Sequence, residues 1–269
     1  MSQDRAEQPM GGSATKLDTT VPHSARVWNY WLGGKDNFAP DREVGQQVRA
    51  VFPEIVEAAR CSRAFLGRAV TYLAAEAGIR QFLDVGTGLP TAENTHEVAQ
   101  RIKPEARVVY VDNDPMVLAH ARVLLSGSQE GATQYVDADL RDPEKIIQDA
   151  RETLDFNEPI ALMMLGVMGH VENPAEARAI VNALVSSLPP GSFLAMSDGT
   201  ATSERVIESH RQYNGSGALP YHLRGGADFT AFFDGLDLVE PGVVPLGHWR
   251  PDNRPSAIVD GYCGVARKL

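Results

Sequence analysis

Cysteine is nearly missing from this chain. Cys61 and Cys263 are the two present among 269 residues. They lie far apart and without CxxC spacing, which excludes a disulfide framework and gives no sign of a structural metal site. Long apolar runs are missing as well. No window approaches the ~18 consecutive apolar residues of a membrane span. The opening MSQDRAEQPMGGSATKLDTT is polar and lacks the apolar stretch of a secretory signal. These absences predict a cytoplasmic protein without a membrane partner. Clustered basic residues are also lacking: 25 Lys and Arg stand against 35 Asp and Glu, for a formal net charge of −10. Neutralising phosphates needs clustered cations, so a nucleic-acid partner is not expected. A small neutral or cationic molecule fits this balance better. What the chain does have is apolar mass: 43% hydrophobic and only 22% charged residues, enough for a sizeable core in a single domain.

Residues 1–21 carry Gly, Ser, Thr and acids without periodicity and read as a flexible leader. The rest, 22–269, reads as one domain in four parts. Residues 22–78 form an N-terminal helical cap, with helices expected at 41–51 and 60–77. The second of these places Phe65, Ala69 and Leu73 on one face. Ahead of it, Trp28, Tyr30, Trp31 and Phe38 crowd around Gly33 and Gly34, more aromatic mass than a solvated linker needs. In 79–199 short apolar runs alternate with amphipathic ones: QFLDVG, ENTHEVAQRI, RVVYVD, PMVLAHARVLL, TQYVDAD, PEKIIQDARETL. PIALMMLG and GSFLAMSD follow, with a helix at 175–188 between them closed by Pro189, Pro190 and Gly191. That alternation predicts a doubly wound α/β core of five parallel strands. Residues 200–235 read as a lid insertion, and LVEPGVVPLGHW with GYCGVARKL, in 236–269, as an antiparallel hairpin that brings the sheet to seven strands.

Ligands of open α/β sheets bind at the carboxyl ends of the strands. The first strand ends in DVGTGLPT, where Gly86 and Gly88 allow a sharp turn and close approach of a ligand, and Asp84 supplies a carboxylate. Asp112 ends the second strand, near the ~20-residue offset at which an acid reaches ribose hydroxyls. Asp139 follows the third strand, one period further on. Any one of these acids would also serve as a helix N-cap, and the glycine turn would suit a tight connection without a ligand. Three acids in register at the binding edge favour a nucleotide-like cofactor. The same features would suit a dinucleotide in a nicotinamide-dependent oxidoreductase.

DVGTGLPT, Asp112 and the pair Asp139 and Leu140 resemble the cofactor motifs of class I S-adenosylmethionine-dependent methyltransferases. PHSARVWNYWLGGKDNF (22–38), VVYVDNDPMVLAHARVLL and FFDGLDLVEPGVVPLGHWRP (232–251) are similar to an actinobacterial branch of that family formerly catalogued as a domain of unknown function. The resemblance covers nearly everything beyond position 20. It implies a Rossmann-like methyltransferase fold and S-adenosyl-L-methionine as cofactor. Gly86, Thr87 and Gly88 would contact the methionine part beside Asp84, Asp112 and Asn113 would hold the ribose and flank the adenine, and Asp139 with Leu140 would meet the adenine. Leu165, Gly166 and Val167, after the fourth strand, would border the sulfonium. Pro90 stands where the family's third glycine is usual, and a proline in the first turn of the following helix is expected there.

Methyl transfer from a sulfonium is an in-line displacement on an activated carbon, so alignment and exclusion of water are the protein's main tasks and a base is optional. His170, just past the fourth strand, is the candidate proton acceptor, with a surface or capping role as the alternative. His210, Tyr213 and Arg224 would line the substrate pocket or pack the lid. Trp28, Tyr30 and Trp31 would bury apolar area, or Tyr30 with Asn37 and Phe38 would fold over the cofactor. Arg26 and Arg63 are candidates to pair with its carboxylate. The function expected is methyl transfer to a small-molecule acceptor, with no metal. A catalytically silent cofactor-binding module and an NAD-dependent oxidoreductase are the alternatives.

Overall fold

All five residues of strand β1 (Gln81–Val85) are buried, as a parallel strand covered by helices on both faces must be. A computed structural model describes residues 17–91, 93–124, 130–251 and 259–269. Residues 1–16 of the expected leader lie outside the described residues, as does Leu125 at the end of one expected helix. Beside β1 run β2 (Arg107–Asp112), β3 (Ala132–Asp137), β4 (Ala161–Leu165) and β5 (Phe193–Asp198), all parallel. The sheet order is β3-β2-β1-β4-β5-β8-β6, with β8 (Tyr262–Arg267) antiparallel to β5 and to β6 (Asp237–Leu238). The path has the seven strands expected. An eighth, β7 (Val244–Pro245), also pairs with β8. The first arm of the expected hairpin is thus divided between β6 and β7, because Pro241 has no amide to donate and the chain turns at Gly242, whose φ is +84°.

The helices of the core are set by their caps. Asn94 and Glu97 form a reciprocal capping box at α4 (Thr95–Ile102). Asp142 caps α6 (Pro143–Ala150) and Asn173 caps α7 (Pro174–Ser186), each followed by a proline in the first turn. Helix α5 (Pro115–Leu124) connects β2 to β3. One apolar layer, containing Leu83, Val109, Leu162 and Leu194, faces α6 and α7, and the other, containing Phe82, Val108, Met163 and Trp249, faces α3 and α4.

The N-terminal cap consists of α1 (Ser24–Trp31), α2 (Ala39–Val51) and α3 (Ile55–Ala75). Helix α3 begins before the expected 60, since Ile55, Ala58 and Ala59 are already buried. The aromatic segment expected only to be packed is itself helix α1. Asp41, fully buried, joins α1 to α2: it accepts from the amides of His23 (2.9 Å) and Phe38 (2.8 Å) and pairs with Arg26 Nε at 3.3 Å. Residues 200–235 contain α8 (Glu204–Asn214) and the short α9 (Gly226–Thr230). Val206 and Tyr213 of α8 share an apolar cluster with Val44, Val48 and Phe52 of the cap. No helix among the described residues is long and apolar enough to cross a membrane.

Candidate active site

Strand order reverses between β1 and β4, and there the carboxyl ends of the strands open a cleft, where ligands of this architecture bind. Its floor is the turn after β1. Gly86 and Gly88 have φ of +78° and +65°, conformations glycine adopts without strain. A Cβ on Gly86 would lie 2.3 Å from Val167 Cγ2, so the β1 and β4 turns touch there. A Cβ on Gly88 would meet nothing within 4 Å. Asp112 closes the turn from β2: Oδ2 accepts from the Gly88 amide at 2.8 Å and Oδ1 from the Asp114 amide at 2.9 Å. Burial pushes the Asp112 carboxyl above the usual range, against the pull of those amides.

Asp84 is buried beneath the turn and accepts from Thr95 Oγ1 at 2.6 Å. Burial raises it to about 6, while that hydrogen bond and Arg63 pull down. Arg63 lines the cleft and donates to Glu93 O at 3.0 Å. Burial lowers its pKa. At the β3 end, Asn113 Nδ2 donates to Asp139 Oδ2 at 3.2 Å, with Leu140 alongside in the wall. Leu165, Gly166 and Val167 complete the floor after β4.

The sequence candidates therefore divide by position. Asp84, Gly86, Thr87, Gly88, Asp112, Asn113, Asp139, Leu140, Leu165, Gly166, Val167, Arg63, His170, His210 and Tyr213 all line one cleft. Tyr30, Asn37, Phe38 and Arg224 are not among the lining residues. Tyr30 packs its ring over Gly45 of α2. Asn37 is buried, donating to Asn29 Oδ1 at 2.9 Å, and Phe38 backs the turn by packing with Leu89 and Met116. Arg224 donates to Met168 O at 2.7 Å and to Val171 O, which fixes the 3-10 turn Met168–His170. Arg26 is absorbed by Asp41, Asp18 O and Val21 O. Pro90 lies in the loop before α4 and not in its first turn, because the Asn94 capping box starts the helix later.

Besides Arg63, the cap presents residues not expected there: His23, Trp28 and Asn29 line the cleft, and His23 pairs with Asp114 at 2.9 Å. His170 Nδ1 lies 2.9 Å from Pro220 O, which can only accept, so Nδ1 carries the proton and Nε2 is the open nitrogen of the neutral ring. Burial lowers the pKa of His170 and of His210. Both rings contact Tyr221, at centroid distances of 5.1 and 5.6 Å. The Tyr221 hydroxyl donates to Asp198, at the end of β5. Sequence reasoning missed Asp198, although GSFLAMSD ends in an acid as RVVYVD, which ends at Asp112, does.

A family model described as S-adenosyl methyltransferase matches residues 10–269. A DUF574 family protein from Streptomyces avermitilis is 43% identical, with a TM-score of 0.90 over 94% of this chain and 100% of that one. A putative methyltransferase from Thermobifida fusca is 40% identical, with a TM-score of 0.88 over 94% and 97% of the two chains. A magnesium protoporphyrin IX methyltransferase from Synechocystis with bound SAH shares the fold at 14% identity and a TM-score of 0.51, over 90% and 93%. No curated protein matches the sequence.

Proposed function

The chain belongs to the S-adenosyl methyltransferase family, and from that premise we propose that it transfers a methyl group in line from S-adenosyl-L-methionine to an apolar small molecule. The observation that carries the reading is one continuous cleft with two linings. One lining is the glycine turn with Asp112. The other is an apolar roof to which Trp28, Phe52 and Tyr213 contribute.

The residues present fit the cofactor. Open space above Gly88 and Gly166, both at positive φ, leaves backbone accessible to a ligand. Asp112 has lone pairs beyond the two that hold backbone amides and would accept from ribose hydroxyls. Asn113, Asp139 and Leu140 would flank the adenine, and Gly86, Thr87 and Gly88 with Arg63 would hold the amino-acid part. When bound, S-adenosyl-L-methionine supplies a methyl group already activated on sulfur. The chain's own work is then to orient the acceptor and keep water out. His170, neutral at pH 7 with Nε2 open, is suited to take a proton from the acceptor. An oxidoreductase gains no support from the family match, nor does a silent module.

Isothermal titration with S-adenosylmethionine and with S-adenosylhomocysteine tests the cofactor site. Asp112→Ala should weaken binding of both by roughly 2–4 kcal/mol, from ~1.5–3 per charge-assisted bond. An unchanged dissociation constant removes Asp112 from the ribose site.

A further inference from the structure

One acid at the acceptor end of the cleft belongs neither to the glycine turn nor to the ribose edge. Asp198 closes β5, is only 4% exposed and lines the cleft. Its Oδ1 accepts from the Tyr221 hydroxyl, while Oδ2, equally buried, makes no hydrogen bond. Leaving a buried carboxylate oxygen without a donor is costly, and such groups concentrate where a ligand completes them.

No side chain around Asp198 supplies that donor to Oδ2; the backbone amides of Gly199 and Gly169 are the donors that bear on the carboxyl. Arg224 is the cation that bears on it, but its two Nη atoms are given to Met168 O and Val171 O, and it forms no ion pair with the carboxylate within 4.0 Å. The amides of Gly199 and Gly169 also pull on the carboxyl, yet burial prevails and raises it to about 7. His170 and His210, on either side of Tyr221, are held toward the neutral form by burial. Asp260, whose neighbour Gly261 lies against Asp198 O, also lines the cleft and accepts from Thr202. This end of the cleft thus pairs carboxylates with aromatic rings, a combination that attracts a positively charged nitrogen on an apolar frame. A phosphate or carboxylate on the acceptor would face like charge there.

Building on the methyltransferase reading, we infer that Asp198 is the specificity-determining residue of the acceptor chamber and that the acceptor carries an amine on an apolar frame, held as its ammonium by Asp198 Oδ2, while another atom of the same molecule, one with a free lone pair, takes the methyl group. The Tyr221 hydroxyl fixes the other carboxylate oxygen, so the charge is oriented before the ligand arrives.

The test is calorimetric titration of the full chain with 2-phenylethylamine and with 2-phenylethanol, which has the same shape without the charge, at pH 8.5, with and without saturating S-adenosylhomocysteine. The amine should bind about tenfold tighter or more. Asp198→Asn should bring the amine to the level of the alcohol and leave S-adenosylhomocysteine affinity unchanged. Should that variant fail to fold, the wild type decides by pH. Between 8.5 and 6.5 the preference should fall as Asp198 takes up a proton, since an alkylammonium stays charged throughout. Equal affinities for the two probes overturn the proposal, as does a preference that survives Asp198→Asn or is constant with pH. Absence of binding by both probes to a protein that binds S-adenosylhomocysteine overturns it too. Failure of the wild type to bind S-adenosylhomocysteine would instead overturn the cofactor reading, and the titrations without it still decide the role of Asp198.

Discussion

Asp198 and His170 meet the same ring, Tyr221, but burial acts on them in opposite senses. It raises the acid to about 7 and lowers the histidine, so both are pushed toward the uncharged form. For the acid this has a consequence for stability. Its ordinary value is 3.8, so between about pH 4 and 7 the folded chain holds a proton that the unfolded chain has released. Stability from this group is therefore present at low pH and lost as pH rises through 7. Asp198→Asn removes the titration and keeps an acceptor for Tyr221. Its stability relative to wild type should rise by on the order of 2–4 kcal/mol from pH 5 to pH 8 in denaturant titrations, and a pH-independent difference would show that the carboxyl is not raised. His170→Ala should slow transfer of labelled methyl groups by about 100-fold, as loss of a proton acceptor does, with S-adenosylhomocysteine affinity unchanged. A normal rate returns His170 to a capping role. At this scale the first three acids were legible because glycines or a fixed offset accompany them. Arg26 and Arg224 read as ligand-binding for want of any sign of their partners: Asp41 lies across a turn, and the carbonyls that Arg224 binds lie more than 50 positions away.

The turn after β1 acts as a unit, and its two glycines answer to different constraints. Alanine at Gly86 would be strained by its φ and would press on Val167, so Gly86→Ala should cost roughly 2–5 kcal/mol, combining positive φ with overpacking. Alanine at Gly88 carries the strain alone, about 1–2 kcal/mol, but its methyl would enter the cleft. Thermal melts should find Gly88→Ala the milder lesion, while titration with S-adenosylhomocysteine should find its binding severely weakened. Equal destabilisation by both would mean that the contact with Val167 is not rigid. Elements with strong periodicity or caps were readable in sequence. Helix α1 was not, since its buried face mixes polar and apolar residues, Arg26 and Asn29 with Val27 and Trp31, and its eight residues make little more than two turns. The split between β6 and β7 was hidden for a related reason, because two-residue strands carry no period at all.

Across the whole molecule the cleft joins three bodies of structure: the sheet edge, the cap and α8. A ligand that touches all three stabilises all three. S-adenosylhomocysteine at about 100 times its dissociation constant should add ~2.7 kcal/mol and raise the melting temperature by on the order of 5 °C in a single transition. Two separate transitions would mean that the cap melts independently of the sheet. The five parallel strands with helices on both faces followed from the alternation of apolar runs, because that pattern is local. The roof did not, since α2 and α8 meet only in three dimensions.

That meeting also has a temporal side. Arg205, in α8, pairs with Glu54 across 151 positions, and the apolar faces of α2 and α8 cover each other. A ribosome adding about 5–20 residues per second needs on the order of ten seconds to cover that distance. For that interval Val44, Val48 and Phe52 have emerged without the helix that shields them. The nascent chain therefore passes through a stage at which its N-terminal part presents a greasy surface, and chaperones have their clearest reason to attend to this protein before α8 has emerged.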